Sequence, residues 1–337
     1  HYIISTYKYD PAEQIYVANS ECTNTYGCDT KHKNGSLSYS FEILENNNDL
    51  GGAFQNSGTD HLKISDIYVY PHIKEIGNDV DNHLYDASEL KKVDFIGECI
   101  ILKGDEKTGK TTLLKTLLVE HLKNGLHPIY MDGKELKISK PNQLTRSIES
   151  AINAQYTKES AFDTYKQVPK EKRILFFDNF DEIQVKSTSG LDSILNELKS
   201  TFGNIVITVN ELFDLTSFIN EHTVNPFNVY RHFSIQPFGF RKRNELIKRW
   251  YSVGSNKFED ESLLFNKVDK AEKNIGIIIS KNLIPPAPIY LLTLMQSMEA
   301  GHGSELNESS LGEYYRFLIT QSLLNNGIKR ENLTEYF

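Results

Sequence analysis

Residues 98–113 read ECIILKGDEKTGKTTL, and this stretch decides the fold. Gly104, Gly109, Lys110 and Thr111 satisfy the pattern G-x-x-x-x-G-K-[ST]. The spacing has a chemical reason. The glycines let the backbone curl so that successive N–H groups face one anion. The helix that follows adds its positive N-terminal end. Lys110 is placed to reach terminal phosphates, and the Thr111 hydroxyl to ligate a divalent cation. Chance alone would produce such a match in about one chain in a hundred of this length. The context selects against chance: Cys99 to Leu102 form an apolar strand, and Leu113, Leu114, Leu117, Leu118 and Leu122 recur at helical spacing. The loop residues Gly104, Thr108, Gly109, Lys110, Thr111 and Thr112 are therefore expected to bind the phosphates of a nucleotide.

A second half-site lies at residues 173–183, RILFFDNFDEI. Ile174 to Phe177 are continuously apolar, as in a strand buried on both faces. Asp178 ends that strand, on the side where open α/β sheets bind ligands. With Thr111 it is expected to hold Mg²⁺. Asp181 and Glu182 follow and are the candidate catalytic pair, one of them orienting or deprotonating water.

The remaining pattern is of alternating strands and helices. Strands are expected at 127–133, 204–210 and 232–238, and helices at 143–156 and 191–200. The fold class expected is α/β: a parallel P-loop NTPase sheet flanked by helices, with a helical domain after it. Residues 61–239 are assigned to the NTPase domain and 240–337 to a helical lid. Residues 1–60 are read as a β-rich segment or connector, with a strand at 36–44 and linker composition at 45–60. The segment also fits the tail of an upstream effector domain. The sequence starts at His1 and ends on a helical pattern, so it is read as compatible with a piece of something longer.

Bulk properties narrow the function. The 337 residues carry a net charge of −8, so no basic excess points to direct nucleic-acid binding. Three cysteines, Cys22, Cys28 and Cys99, argue against a disulfide framework and for a reducing, cytoplasmic location. Cys22, Cys28 and His32 match no common zinc spacing. No signal peptide is visible. The apolar stretch 276–295 is broken by Lys281, Asn282 and three prolines, so no membrane span is expected. The chain lacks His-Arg-Asp and Asp-Phe-Gly motifs, against a protein kinase, and a Leu-Ser-Gly-Gly run, against a transporter ATPase. Asn-Lys-x-Asp is absent too, which leans toward ATP over GTP.

On these motifs the chain resembles the STAND class of signalling NTPases, close to the NACHT group and to bacterial antiviral STAND (Avs-type) ATPases. The resemblance covers about residues 62–330. FFDNFDE is similar to the second NACHT motif, although Asn179 stands where a small residue is usual. Ile67-Tyr68-Val69-Tyr70-Pro71 resembles a segment that lies near adenine in the family, which implies nucleotide contacts at Tyr70 and Pro71. Pro288 matches a lid proline that touches base or sugar. The family often ends its fourth strand in Thr-Ser-Arg. Here that strand ends Thr208-Val209-Asn210-Glu211. The resemblance then implies that Asn210 faces the γ-phosphate or the attacking water, a strand-ending turn asparagine being the alternative. It also implies that charge sensing passes to Arg241 or Arg243, the alternative for these being a solvated helix face. The resemblance implies ATP or ADP with Mg²⁺, slow hydrolysis, a protein trigger and self-association on activation. The rival reading is an AAA-type mechanochemical ATPase acting on protein or nucleic acid.

Overall fold

The structure is a computed structural model. It describes residues 5–10, 15–23, 37–48, 54, 56–59, 61–76, 83–136, 141–157, 160–183, 185, 188–212, 227, 230–253, 261–280 and 285–299. The expectations for Cys28, His32 and residues 301–337 lie outside the described residues.

The N-terminal strands β1 (Ser5–Asp10) and β2 (Ile15–Thr23) pair antiparallel. The strand expected at 36–44 is not formed. Only Tyr39 makes an isolated bridge, to Tyr156, and the chain then enters helix α1 (Phe41–Asn48). Ser40 precedes that helix as its start signal, and its carbonyl accepts the Leu44 N–H at 3.1 Å. Tertiary packing overrides the strand-like alternation: Leu44 is buried in the same cluster as Leu113, Leu114 and Leu117. The following stretch, expected to be a linker, is partly packed as well. Asn56 is buried, and its amide donates to the Trp250 carbonyl at 2.9 Å.

A short helix α2 (Ile64–Ile67) leads into β3 (His72–Ile76) and β4 (Leu84–Asp86). The sequence reading overlooked both strands. In β3 the inward positions are Ile73 and Glu75, so a charge interrupts the apolar alternation. Arg231 neutralises it, donating to the two Glu75 carboxylate oxygens at 2.7 and 3.0 Å. That pair also holds the Glu75 carboxyl below the ordinary carboxylate range.

After α3 (Val93–Ile96) come β5 (Cys99–Gly104), α4 (Lys110–Lys123), β6 (His127–Asp132), α5 (Pro141–Gln155), α6 (Ala161–Tyr165), β7 (Arg173–Asp178), α7 (Thr188–Thr201), β8 (Asn204–Asn210) and β9 (Arg231–Ile235). Seven strands form one sheet in the order β4-β3-β9-β5-β8-β7-β6. The run from β9 to β6 is parallel, as expected, while β3 and β4 add an antiparallel edge. The sheet is thus mixed and mostly parallel, flanked by helices.

Side-chain alternation sorts the core strands between two layers. Ile174 and Phe176 of β7 pack in the cluster beneath α4, while Leu175 and Phe177 pack in the cluster with α5 and α7. All four are fully buried, which explains the unbroken apolar run. Each contributes roughly 1.5–3 kcal/mol by leaving water.

The helices α8 (Phe240–Ser252), α9 (Glu261–Ser280) and α10 (Pro288–Ser297) follow the sheet. Leu246, Ile247 and Trp250 of α8 share a third cluster with Ile275 of α9 and Leu291 of α10. Basic residues do not all face water here. Lys242 falls on the buried face of α8 and pairs with Asp86 Oδ2 at 2.5 Å. Among the described residues no helix is long and apolar enough to cross a membrane.

Candidate nucleotide site

The loop between β5 and α4 is shaped by its glycines. Gly109 sits at φ +93°, in the left-handed region that disfavours a side chain. A Cβ on Gly104 would stand 2.9 Å from Thr108 Oγ1, which itself donates to the Asp105 carbonyl at 2.8 Å. The Lys110 ammonium lies within this loop and donates to the Gly104 and Asp105 carbonyls at 2.5 and 2.8 Å. Burial lowers its pKa from the ordinary lysine value, against the opposing pull of Asp181, Asp178 and Asp105. A partly desolvated ammonium at a helix N-terminus is arranged to take up an anion.

Asp178 lies at the floor and is fully buried. Its Oδ2 accepts from the Thr111 hydroxyl at 2.5 Å and from the Tyr130 hydroxyl at 3.0 Å. Its Oδ1 accepts from the Thr208 hydroxyl and from the Asn179 N–H at 3.2 Å. Burial, then the Asp178 charge, raise the Tyr130 phenol far above the ordinary tyrosine value, so it remains a donor.

Asn179 has a structural role in the turn that follows β7. It adopts φ +49°, which asparagine tolerates, and its amide donates to Asp132 Oδ1 at 2.9 Å. Gly133 passes so close that a Cβ there would meet the Asn179 carbonyl at 2.0 Å. The turn that follows carries the acidic pair. Asp181 Oδ2 accepts the Asn210 N–H at 3.2 Å, and Glu182 is exposed beside it.

These parts surround a cleft of about 530 Å³ between the strand ends and the helices that follow the sheet. Thr108, Gly109, Lys110, Thr111, Thr112, Asp181, Glu182, Asn210, Pro71 and Pro288 all line it. Gly104 and Asp178 lie just behind the lining, joined to it through Lys110 and Thr111. Tyr70 does not line the cleft: its ring packs edge-on against Tyr68 at 4.9 Å and beneath the Lys91 ammonium at 4.7 Å. Tyr68 and Val69 line the cleft instead. The Asn210 side-chain oxygen accepts the Leu212 N–H at 3.0 Å, so this residue also ends its strand with a local turn. Neither expected arginine lines the cleft. Arg243 pairs with Glu272 at 3.3 Å, and Arg241 is exposed.

Sequence reasoning overlooked Tyr130, Thr208, Lys134 and Phe238. Thr208 was detectable, as a polar residue within the apolar run NIVITVN. Tyr130 was not, because strand propensity accounts for a tyrosine there.

The residues fit a magnesium-bound nucleotide. The loop would be filled by a Cβ at Gly104, a hydroxyl and a carboxylate meet beneath it, and the cleft has the volume of a ligand pocket. One hard oxygen from Thr111 and one from Asp178 suit Mg²⁺, which takes few protein ligands beside phosphates and water.

Strand, phosphate loop, helix and a carboxylate at the end of a second core strand define a P-loop NTPase fold. No protein-family model matches the chain. No curated protein matches it. Among solved structures it is similar to domain III of the replication initiation protein DnaA from Thermotoga maritima, at 15% identity and TM-score 0.38, covering 66% of this chain and 85% of that one. AMPPCP-bound DnaA from Aquifex aeolicus aligns at 18% identity and TM-score 0.34, over 57% and 59% of the two chains. The Thermotoga maritima RuvB Holliday junction branch migration motor aligns at 12% identity and TM-score 0.34, over 71% and 72%. At this level of likeness the functional reading rests on the chain's own residues.

Proposed function

We propose that the chain is an ATP-binding, slowly hydrolysing switch of the STAND type, NACHT-like, and the NTPase module of a defence protein that oligomerises on activation. The contact of Thr111 with Asp178 beneath the loop, with the acidic pair beside it on one cleft, supports the nucleotide site, and the resemblance of FFDNFDE to the second NACHT motif supports the switch. We take residues 61–239 as the NTPase domain and 240–337 as its lid.

The loop N–H groups and Lys110 hold the β- and γ-phosphates of ATP. Thr111 and Asp178 hold Mg²⁺, which when bound draws charge from the phosphate oxygens. Asp181 is held by the Asn210 backbone, so Glu182 is the better placed to accept a proton from the attacking water. The bond from the γ-phosphorus to its bridging oxygen breaks, and ADP and phosphate result. Pro71, Phe238 and Pro288 shape the outer part of the cleft, toward base and sugar. A switch requires nucleotide to bind two states unequally. Here the helices that close the cleft would supply the second state, ADP favouring a closed monomer and ATP with a protein trigger an open, associating form.

A second reading is an AAA-type motor. Among the described residues no arginine lines the cleft, and a motor would bring one in from a neighbouring copy. Mass analysis of nucleotide released from freshly purified, denatured protein separates the two. Stoichiometric ADP supports the switch. An empty site with turnover above roughly one per second supports the motor.

A further inference from the structure

The two carboxylate oxygens of Asp178 are held from opposite sides. Thr208, on the neighbouring strand β8, and the Asn179 N–H hold Oδ1. Oδ2 is the oxygen shared with Thr111, and its other donor is the Tyr130 hydroxyl from strand β6. Among the described residues β6 is the edge strand of the sheet, and no described strand pairs with its outer backbone groups. At Tyr130 the side chain of Gln155 takes that place. Gln155 Oε1 accepts the Tyr130 N–H at 2.9 Å, and Nε2 donates to the Tyr130 carbonyl at 2.7 Å. The same Oε1 accepts the Tyr39 hydroxyl at 2.9 Å. The Gln155 carbonyl in turn accepts the Ser40 N–H at 2.8 Å. Tyr130 is thus fixed twice, by its phenol on the carboxylate and by its backbone on Gln155.

We propose that Tyr130 is a positioning residue for magnesium: its hydroxyl holds Asp178 Oδ2 toward Thr111, and its own place is set through Gln155 by the segment 37–40. This rests on reading the cleft as a magnesium–nucleotide site. The choice of donor is chemically apt. A phenol steadies a carboxylate without bringing a cation that would compete with the metal. Outer partners of a metal ligand orient it, and their loss typically costs 10- to 100-fold in metal affinity or activity. Tyr130 is partly buried beside the cluster that contains Phe176, so phenylalanine keeps the ring contacts and removes only the hydroxyl.

The experiment titrates the whole chain with a fluorescent ADP, once in EDTA and once across a series of Mg²⁺ concentrations. Wild type is compared with Tyr130→Phe and with Tyr165→Phe, whose hydroxyl donates at 2.8 Å to the His127 carbonyl at the far end of β6. In Tyr130→Phe the half-saturating Mg²⁺ concentration is expected to rise about tenfold, with nucleotide affinity in EDTA unchanged. Tyr165→Phe should titrate as wild type. The proposal is overturned if Tyr130→Phe superimposes on wild type, or if it weakens nucleotide equally with and without Mg²⁺. A wild type whose nucleotide affinity ignores Mg²⁺ would instead overturn the underlying reading of the site. A fluorine label on the Tyr130 ring of the otherwise native protein reads the same contact without removing the hydroxyl. Its resonance should move when Mg²⁺ joins bound ADP, and an unmoved resonance counts against the proposal.

Discussion

The floor and the roof of the cleft are built on opposite principles. The floor is polar and directional. Asp178 is fully buried and accepts from Thr111, Tyr130, Thr208 and Asn179; Tyr130 and Thr208 sit on the flanking parallel strands, Thr111 in the first turn of α4 and Asn179 in the turn after β7. The roof is mostly apolar: Phe238, Leu246, Pro288, Ile289 and Leu292 face the cleft. Its ties to the rest of the molecule include the Lys242–Asp86 pair and the Asn56 amide on the Trp250 carbonyl. Hydrogen bonds in a dry site demand one geometry, whereas apolar contact is non-directional and tolerates repacking. The floor is therefore suited to chemistry, and the roof to changing with what is bound.

The largest effect should come from the floor. Glu182→Gln is expected to lower kcat by about 10²- to 10⁴-fold, the usual worth of a general base, with nucleotide affinity nearly unchanged. A steady-state ATPase assay beside a binding titration decides it, and turnover equal to wild type would show that Glu182 is not the base. Lys110→Ala comes next. Losing the charge-assisted hydrogen bonds to phosphate, each worth about 1.5–3 kcal/mol, should weaken nucleotide binding by about 100-fold in calorimetry. Melting should change little, because the loop carbonyls can turn to water.

Breaking the roof should act on docking rather than chemistry. Lys242→Met keeps the buried stem and removes the ammonium opposite Asp86, whose side chain is 37% exposed and can rehydrate. We expect a loss of about 1 kcal/mol, small because the pair is part-exposed. It should appear as faster release of fluorescent nucleotide in stopped flow, with kcat barely altered. The pair also has an acid signature. Burial raises the Asp86 carboxyl, but Lys242 and Ser88 outweigh it and hold it below the ordinary value of 3.8. Its stabilisation is therefore present above about pH 4 and lost as pH falls through the depressed pKa. The acid limb of a melting-temperature profile should be shallower in Lys242→Met. Pro288→Ala should have the smallest mutational effect on binding, a few-fold loss in nucleotide affinity, because Pro288 is only half-buried and the two carbons removed give less than the full value of about 0.8 kcal/mol each.

Mild acid should sharpen the contrast further. His121 on α4, His127 on β6 and His232 on β9 all have their pKa lowered, first by burial. Below about pH 6.5 the unfolded chain binds protons before the folded one, so stability falls with pH. All three lie in the sheet layers. Amide protection factors, corrected for the intrinsic exchange rate at each pH, should fall between pH 7.5 and pH 5.5 more there than in α8–α10. An equal fall in both would show that the floor is no more pH-sensitive than the roof.

The sequence was most readable where structure is local. The glycine positions, Lys110 and the leucines of α4 lie within one stretch, and a positive φ or a helical period needs no distant partner. The continuous apolar runs of β5, β7 and β8 were readable because both faces of those strands are covered. The strand β3 was not, since its inward Glu75 is compatible with a core only once Arg231, far along the chain, is beside it. The alternation at 36–44 misled for the same reason: Leu44 gains more against α4 than in a strand.

By itself, the sequence determined the phosphate loop, the order of the parallel core strands along the chain and the residue types available for nucleotide chemistry. Each follows from short-range sterics, hydrogen-bonding capacity and periodicity. Only the tertiary structure decided which groups meet Asp178, that Tyr70 packs aside while Tyr68 and Val69 line the cleft, and that Lys242 is buried against Asp86 rather than solvated. Those outcomes depend on contacts between residues far apart in sequence. Their strength comes from excluding water, which no local pattern of residues encodes.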